Sequence, residues 1–213
     1  MARIKQGILG GFSGKIANVV GTSWKGIAVI KSQPLSVANP KTAAQVAQRT
    51  KLSACVAMLQ PILSGVIKPL NDRFAGQMSG YNYSLQKSIA AFGADGSLAY
   101  PSEFKISRAT AKAQLIEGVS ANPATSEVTA AWTSDAGTGY ALGTDKMFFV
   151  VFNETTGEIG YSANTVRADL AASVVLPESG LTNGDVLRTY LAALRADGTI
   201  GFAQDYFSYV VHL

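Results

Sequence analysis

The stretch Gly7–Ile30, GILGGFSGKIANVVGTSWKGIAVI, constrains the fold more than any other part of the chain. Six of its residues are glycine (Gly7, Gly10, Gly11, Gly14, Gly21, Gly26), and its β-branched residues gather in two runs, Ile16–Val20 and Ile27–Ile30. Such runs read as two strands, here joined by a turn at Gly21-Thr22. Glycine inside a strand weakens it and marks a bulge or a close backbone approach, and a two-stranded ribbon alone is marginal in water. This ribbon therefore needs a partner surface, and the chain reads as a part built into something larger.

Charge points the same way. Residues 1–100 carry eleven basic and two acidic groups, a net +9, and no acidic residue precedes Asp72. The remainder carries seven basic and twelve acidic groups, a net −5. Such asymmetry suits a polyanion. It suits equally well a head-to-tail assembly in which one copy's basic half meets the next copy's acidic half. The single cysteine, Cys55, sits among apolar neighbours, excludes an intrachain disulfide and reads as an inert buried thiol. No run approaches the roughly 18 apolar residues of a membrane span, and MARIKQGILGGF lacks the apolar core of a signal peptide. The expectation is a soluble chain made in a bacterial cytoplasm, with no membrane partner.

After the ribbon, Ser32-Gln33-Pro34 stops the second strand. A helix then opens either at Asn39-Pro40 or at Thr42, whose spacing to Gln45 fits a capping box, and runs to about Leu59. Leu52, Val56, Leu59 and Leu63 form its apolar stripe, while Gln45, Gln48, Arg49 and Lys51 mark a solvated or docking face. Met78, Tyr81, Leu85, Ile89 and Phe92 predict a second amphipathic helix ended by Gly93. From Phe104 the period changes to two, with candidate strands at 111–117, 126–133, 146–153, 158–163, 166–176, 186–195 and 205–212. About seven short strands around Trp132 predict an immunoglobulin- or fibronectin-like sandwich. The expected fold class is therefore α+β, with a basic hairpin-plus-helices region at 1–100, a loop at 93–103 and a β-sandwich at 104–213.

Catalytic chemistry finds little support. His212 is the sole histidine and lies next to the C-terminus, which removes histidine triads and multi-histidine metal sites. The GGFSGK segment has Leu9 where a phosphate loop needs its first glycine, and Ile16 where it needs Ser or Thr for magnesium. Asp135, Asp145, Glu154, Asp185 and Asp197 fall at turns and read as turn-stabilising. The expectation is a protein that is not an enzyme and takes no cofactor or metal.

The quoted N-terminal stretch, with its Ser23–Gly26 Ser-Trp-Lys-Gly step, the Asn39–Thr42 helix start, and the pair Gln45 and Arg49, resembles an uncharacterised bacterial and phage-associated family of unknown function. Thr144-Asp145-Lys146 and Ala196-Asp197-Gly198 fit it too. The resemblance implies no activity, but the Asn-Pro-x-Thr-x-x-Gln-x-x-x-Arg helix is similar to those of small phage structural proteins. The expected function is accordingly structural: a homo-oligomeric component of a virion (capsid or tail) or similar assembly, contacting itself or other virion proteins. Its assembly interface would comprise Phe12, Lys15, Trp24, Lys25, Gln45 and Arg49. Two alternatives stand beside it. One is nucleic-acid binding by the basic half, with Phe12 and Trp24 near Lys5, Lys15 and Lys25. The other is a glycan-binding β domain using Tyr140, Tyr161 or Tyr206.

Overall fold

A computed structural model describes residues 3–4, 12–34, 36, 39–107, 109, 111–176 and 180–212. Gly7, Gly10, Gly11 and Lys5 lie outside the described residues. The chain divides into two compact units, 1–42 and 43–213.

The first unit is an antiparallel sheet of β1 (Arg3–Ile4), β2 (Phe12–Ile16), β3 (Val19–Trp24) and β4 (Ile27–Ser32), in sequential order. Gly21 is not in a turn, contrary to expectation: it pairs with Gly14 on one side and Ile30 on the other, in the middle of β3. The turns fall at Ala17-Asn18 and Lys25-Gly26. Lys25 and Gly26 both take positive φ, 46° and 84°, as a two-residue type I′ hairpin requires. The Gly-Thr pair suggests a turn by composition, but the right-handed twist of a hairpin is matched by the Lys25-Gly26 geometry. A bend at Gly14, with φ at 114°, brings the Phe12 ring and carbonyl against Gly21, where a side chain would stand.

The second unit has three layers. Helix α1 (Ala43–Leu59) begins just after Thr42, not at Asn39-Pro40. It buries Cys55, Met58 and Leu59 and leaves Leu52 exposed, so its inner face lies to one side of the expected stripe. A π-helical turn (Leu63–Ile67), α2 (Lys68–Asn71) and α3 (Gly80–Ser88) complete the helical layer. The Ser79 side chain accepts the Asn82 N–H to start α3. A 3₁₀ turn at Ile89–Ala91 follows α3, and Phe92, not Gly93, ends the run.

Seven strands follow: β5 (Gly118–Asn122), β6 (Glu127–Ala131), β7 (Lys146–Asn153), β8 (Ile159–Val166), β9 (Ala171–Val175), β10 (Val186–Leu194) and β11 (Asp205–Val210). Two expectations shift. Residues 111–117 are largely irregular and the strand begins at Gly118. The single strand expected at 166–176 is interrupted by a 3₁₀ turn at Arg167–Asp169 and by Leu170 in the left-handed region (φ 63°). The antiparallel sheets have orders β5-β6-β9 and β11-β10-β7-β8.

The four-stranded sheet is apolar on both faces. On one, Phe148, Val150, Tyr190 and Ala192 share a core with Met58, Leu59, Ile62, Ile67 and Phe92. On the other, Phe149, Val151, Leu187 and Leu191 share a core with Val128, Ala130 and Val174 of the three-stranded sheet and with Trp132 just after β6. The helices are thus the cover of the sheet's second face, and the boundary expected at 93–103 lies inside this unit. Tyr161 packs on Gly65 of the π-helical turn, an approach that only a missing side chain permits. Among the described residues no single helix is long and apolar enough to cross a membrane.

Candidate functional site

Side chains directly opposite one another in an antiparallel pair share a face, so the registers sort the N-terminal sheet. Gly14, Gly21 and Ile30 form one cross-strand row, and Ile16, Val19 and Ser32 another on the same face. The opposite face carries the row Lys15, Val20 and Lys31, then Thr22 with Val29, and Trp24 with Ile27. One face of β2–β4 is therefore uncharged and the other basic.

Neither face is buried. On the uncharged face Ile16, Val19 and Ile30 are 46%, 38% and 69% exposed; on the basic face Trp24, Ile27 and Val29 are 54%, 42% and 40% exposed. Among the described residues of 1–42, Gly21 alone is buried. Burying an apolar side chain fully yields roughly 1.5–3 kcal/mol. Leaving six of them about half wet forgoes on the order of 5–10 kcal/mol, as much as the whole stability of many domains. Among its described residues the sheet has strands, turns and register but no core.

The expected interface residues fall into three settings. Phe12 turns inward onto Gly21. Lys15 and Trp24 stand on the basic face, and Lys25 occupies the β3–β4 turn. Gln45 and Arg49 lie one turn apart on the exposed side of α1 and belong to the second unit. The three tyrosines of the glycan alternative also differ. Tyr206, Tyr190, Val150 and Tyr161 form a single cross-strand row on the sheet face that the helices cover. Tyr140 is exposed beside a cleft of about 780 Å³ lined by Phe74, Ile200 and Thr199.

The carboxylates do mostly turn work. Burial pushes the Asp185 carboxyl up, but the Thr182 N–H and hydroxyl and the Asn153 amide donate to it and hold it below its ordinary value. The hydroxyl and N–H of Ser97 do the same for Asp95, and those of Thr199 for Asp197. Burial pushes the Cys55 thiol up to about 12, as expected of an unreactive cysteine.

One polar constellation leaves no mark in the sequence. Among the described residues Arg167 is the largest fully buried side chain. Its Nε donates to Asp145 at 3.2 Å, its Nη1 donates to Gln114 at 2.9 Å and to Asp135, and its guanidinium lies 4.6 Å from the Phe202 ring centre. The Trp132 indole donates to the Arg167 carbonyl at 3.0 Å. The network ties the 134–145 loop to the β8–β9 turn. Arg167 and Asp145 are buried, while Gln114 and Asp135 also line a small cleft of about 230 Å³. Nothing near Arg167 in the chain signals this, because its side-chain partners lie 22 to 53 residues away.

No curated protein matches the chain. Among solved structures it is similar to one described as "Structure of surface layer protein SbsC, domains 1-6", with 16% identity and a TM-score of 0.30. That match covers 78% of this chain and 23% of the other, so the chain spans about a quarter of that structure's length. The profile of a family of unknown function (DUF6266) matches residues 11–207, from the glycine-rich sheet almost to the end of β11. The chain belongs to that family.

Proposed function

We propose that the protein is a non-enzymatic structural subunit of a multi-subunit assembly, a virion (capsid or tail) or a structure like it. Residues 1–42 are the part that another chain completes. The observation that carries this reading is the coreless sheet: four paired strands, of which β2–β4 hold apolar side chains well exposed on both faces. Three or more strands become independently stable only when a hydrophobic face is covered, and exposed apolar surface of this kind marks interaction sites.

The second unit supplies the rigid body. We read its two sheets as a fibronectin-type sandwich, because β5-β6-β9 opposite β11-β10-β7-β8 follows the A-B-E and G-F-C-C′ order of that architecture. At its edges Gly160 of β8 lets Val174 and Leu176 approach, and Asp205 of β11 accepts the Ile116 N–H at 2.7 Å. Light scattering on the purified full chain over a concentration series tests the assembly reading. Oligomers that grow with concentration are expected; a monomer at every concentration and salt would sink it.

The basic face favours one second reading, a nucleic-acid partner. Residues 1–42 carry six basic groups and no acidic one. Lys15 and Lys31 flank Val20 on the face that also holds Trp24, a cationic and aromatic combination suited to phosphates and bases. Filter binding across a salt series separates the two readings. Tight binding whose log K falls against log salt with a slope of about −0.9 per phosphate contact on duplex would favour nucleic acid; weak, salt-insensitive binding would favour assembly alone.

A further inference from the structure

We propose that a groove on the second unit binds single-stranded nucleic acid, with phosphates on Lys87 and Lys105 and a base stacked on Tyr140. The site goes beyond the assembly reading, does not depend on it, and uses no residue of the N-terminal sheet.

Two clefts meet at Ala109. One, of about 780 Å³, is walled by Phe74 and Tyr140; the other, of about 240 Å³, by Tyr83, Lys87 and Lys105. Among the described residues that line them, the two charged ones are both lysines and none is acidic. Both lysines are anchored. Tyr83 and Lys87 stand one turn apart on α3, with the ammonium 6.0 Å from the ring centre, and the Lys105 ammonium donates to the Ser102 carbonyl at 3.1 Å. An ammonium carries three donors, so each lysine keeps donors for an anion, and an anchored side chain loses less freedom on binding. The Asp197 carboxylate beside the larger cleft is bonded to Thr199 and lies in the field of Arg73 and Arg195, which offset its charge.

The rest of the lining selects among anions. Its neutral polar side chains are already bonded within the fold: the Ser107 hydroxyl donates to the Phe202 carbonyl, the Thr199 hydroxyl to Asp197, and the Gln204 amide bridges the Phe104 carbonyl and the Ile106 N–H. An acidic sugar chain would have few of these groups left for its hydroxyls. An acidic peptide would satisfy the lysines and leave the rings without a partner. A nucleobase needs only a ring face. Tyr140, 68% exposed, offers one, and Phe74, set against Gly201, walls the same cleft. A duplex keeps its bases stacked inside and would present these rings with phosphate alone, so the strand is single.

Fluorescence anisotropy of a labelled oligothymidylate with the full chain, over a salt series, gives the test. Replacing both lysines (Lys87→Gln with Lys105→Gln) is expected to weaken binding about tenfold or more and to flatten the slope of log K against log salt by about 1.4, at roughly 0.7 for each phosphate contact on a single strand. Tyr140→Ala is expected to weaken binding about tenfold with the slope unchanged, the mark of lost stacking. Lys15→Gln with Lys31→Gln, on the N-terminal sheet, should leave binding as in the wild type. A wild type that does not bind the oligonucleotide would overturn the inference, as would loss of binding through the N-terminal pair alone, which would assign it to residues 1–42. Displacement of the oligonucleotide by polyglutamate or dextran sulfate as readily as by unlabelled oligothymidylate would overturn it too, in favour of an acidic peptide or glycan. None of these results bears on whether the wild type assembles, which light scattering reads separately.

Discussion

The ring of Phe12 lies 2.6 Å from where a Cβ on Gly21 would sit, and the Phe12 carbonyl is closer still. This contact turns an open ribbon into a sheet with one internal plug. It explains why glycine is required in the middle of β3, where its backbone freedom would otherwise be a cost. Around this plug Ile16, Val19 and Ile30 on one face and Trp24, Ile27 and Val29 on the other stay well exposed, and that is the root of the functional proposal.

Gly21→Ala should therefore loosen β2–β4 out of proportion to one methyl group. Overpacking costs about 1–3 kcal/mol, equivalent to roughly tenfold faster amide exchange per 1.4 kcal/mol. Hydrogen exchange across residues 12–32 of the full chain reads it. Because the nearest atom is backbone, Phe12→Ala should not rescue the variant; a full rescue would show that the ring alone sets the constraint.

Limited trypsin digestion should cut at Lys31 or Lys41 and leave a resistant body that includes both helices and strands, since the units divide at residue 42. A stable fragment starting near Lys105 is not expected. Without residues 55–92, Phe148, Val150 and Tyr190 would lose the side chains that bury them. Mass spectrometry of the digest decides; a persistent fragment beginning at 105 would mean that the sandwich stands without its helices.

Arg167→Met should destabilise the second unit by about 3–5 kcal/mol, the usual cost of removing one partner of a buried pair, because Asp145 is then left charged and fully buried. Adding Asp145→Asn should recover part of the loss. Chemical denaturation of the two variants measures it, and a single variant with unchanged stability would show that Asp145 finds another donor.

Cys55 should resist thiol reagents at pH 8 until the protein unfolds, as burial holds its pKa up to about 12 against an ordinary 9.0. A group whose pKa is raised on folding contributes its stability in full below the unfolded value. That contribution is lost as pH rises towards the folded one. Stability should thus decline between about pH 9 and 12, with Tyr190, pushed up by burial, adding to the fall. Rapid labelling of Cys55 in the native protein at pH 8 would place the thiol at the surface.

What the sequence determined by itself was local. The glycine-rich β-branched stretch specified strands, Thr42 was one of two helix starts the residues offered beside Asn39-Pro40, and period-two runs located β6, β7, β10 and β11 closely, because each signal is carried by residues a few positions apart. The fold class, α+β with antiparallel sheets, was legible for the same reason. Even the second apolar face of β10 left a trace, since residues alternating with Leu187 and Leu191 are themselves partly apolar. The tertiary structure decided everything that depends on distant pairs. Gly21 looks like a turn residue until register sets it under Phe12. Residues 93–103 look like a linker until the helices are found covering β7 and β10. Arg167 looks like one more surface charge until the fold gathers Gln114, Asp135 and Asp145 around it. In each case the physical cause is the same: burial and charge pairing act through space, whereas periodicity and turn chemistry act along the chain.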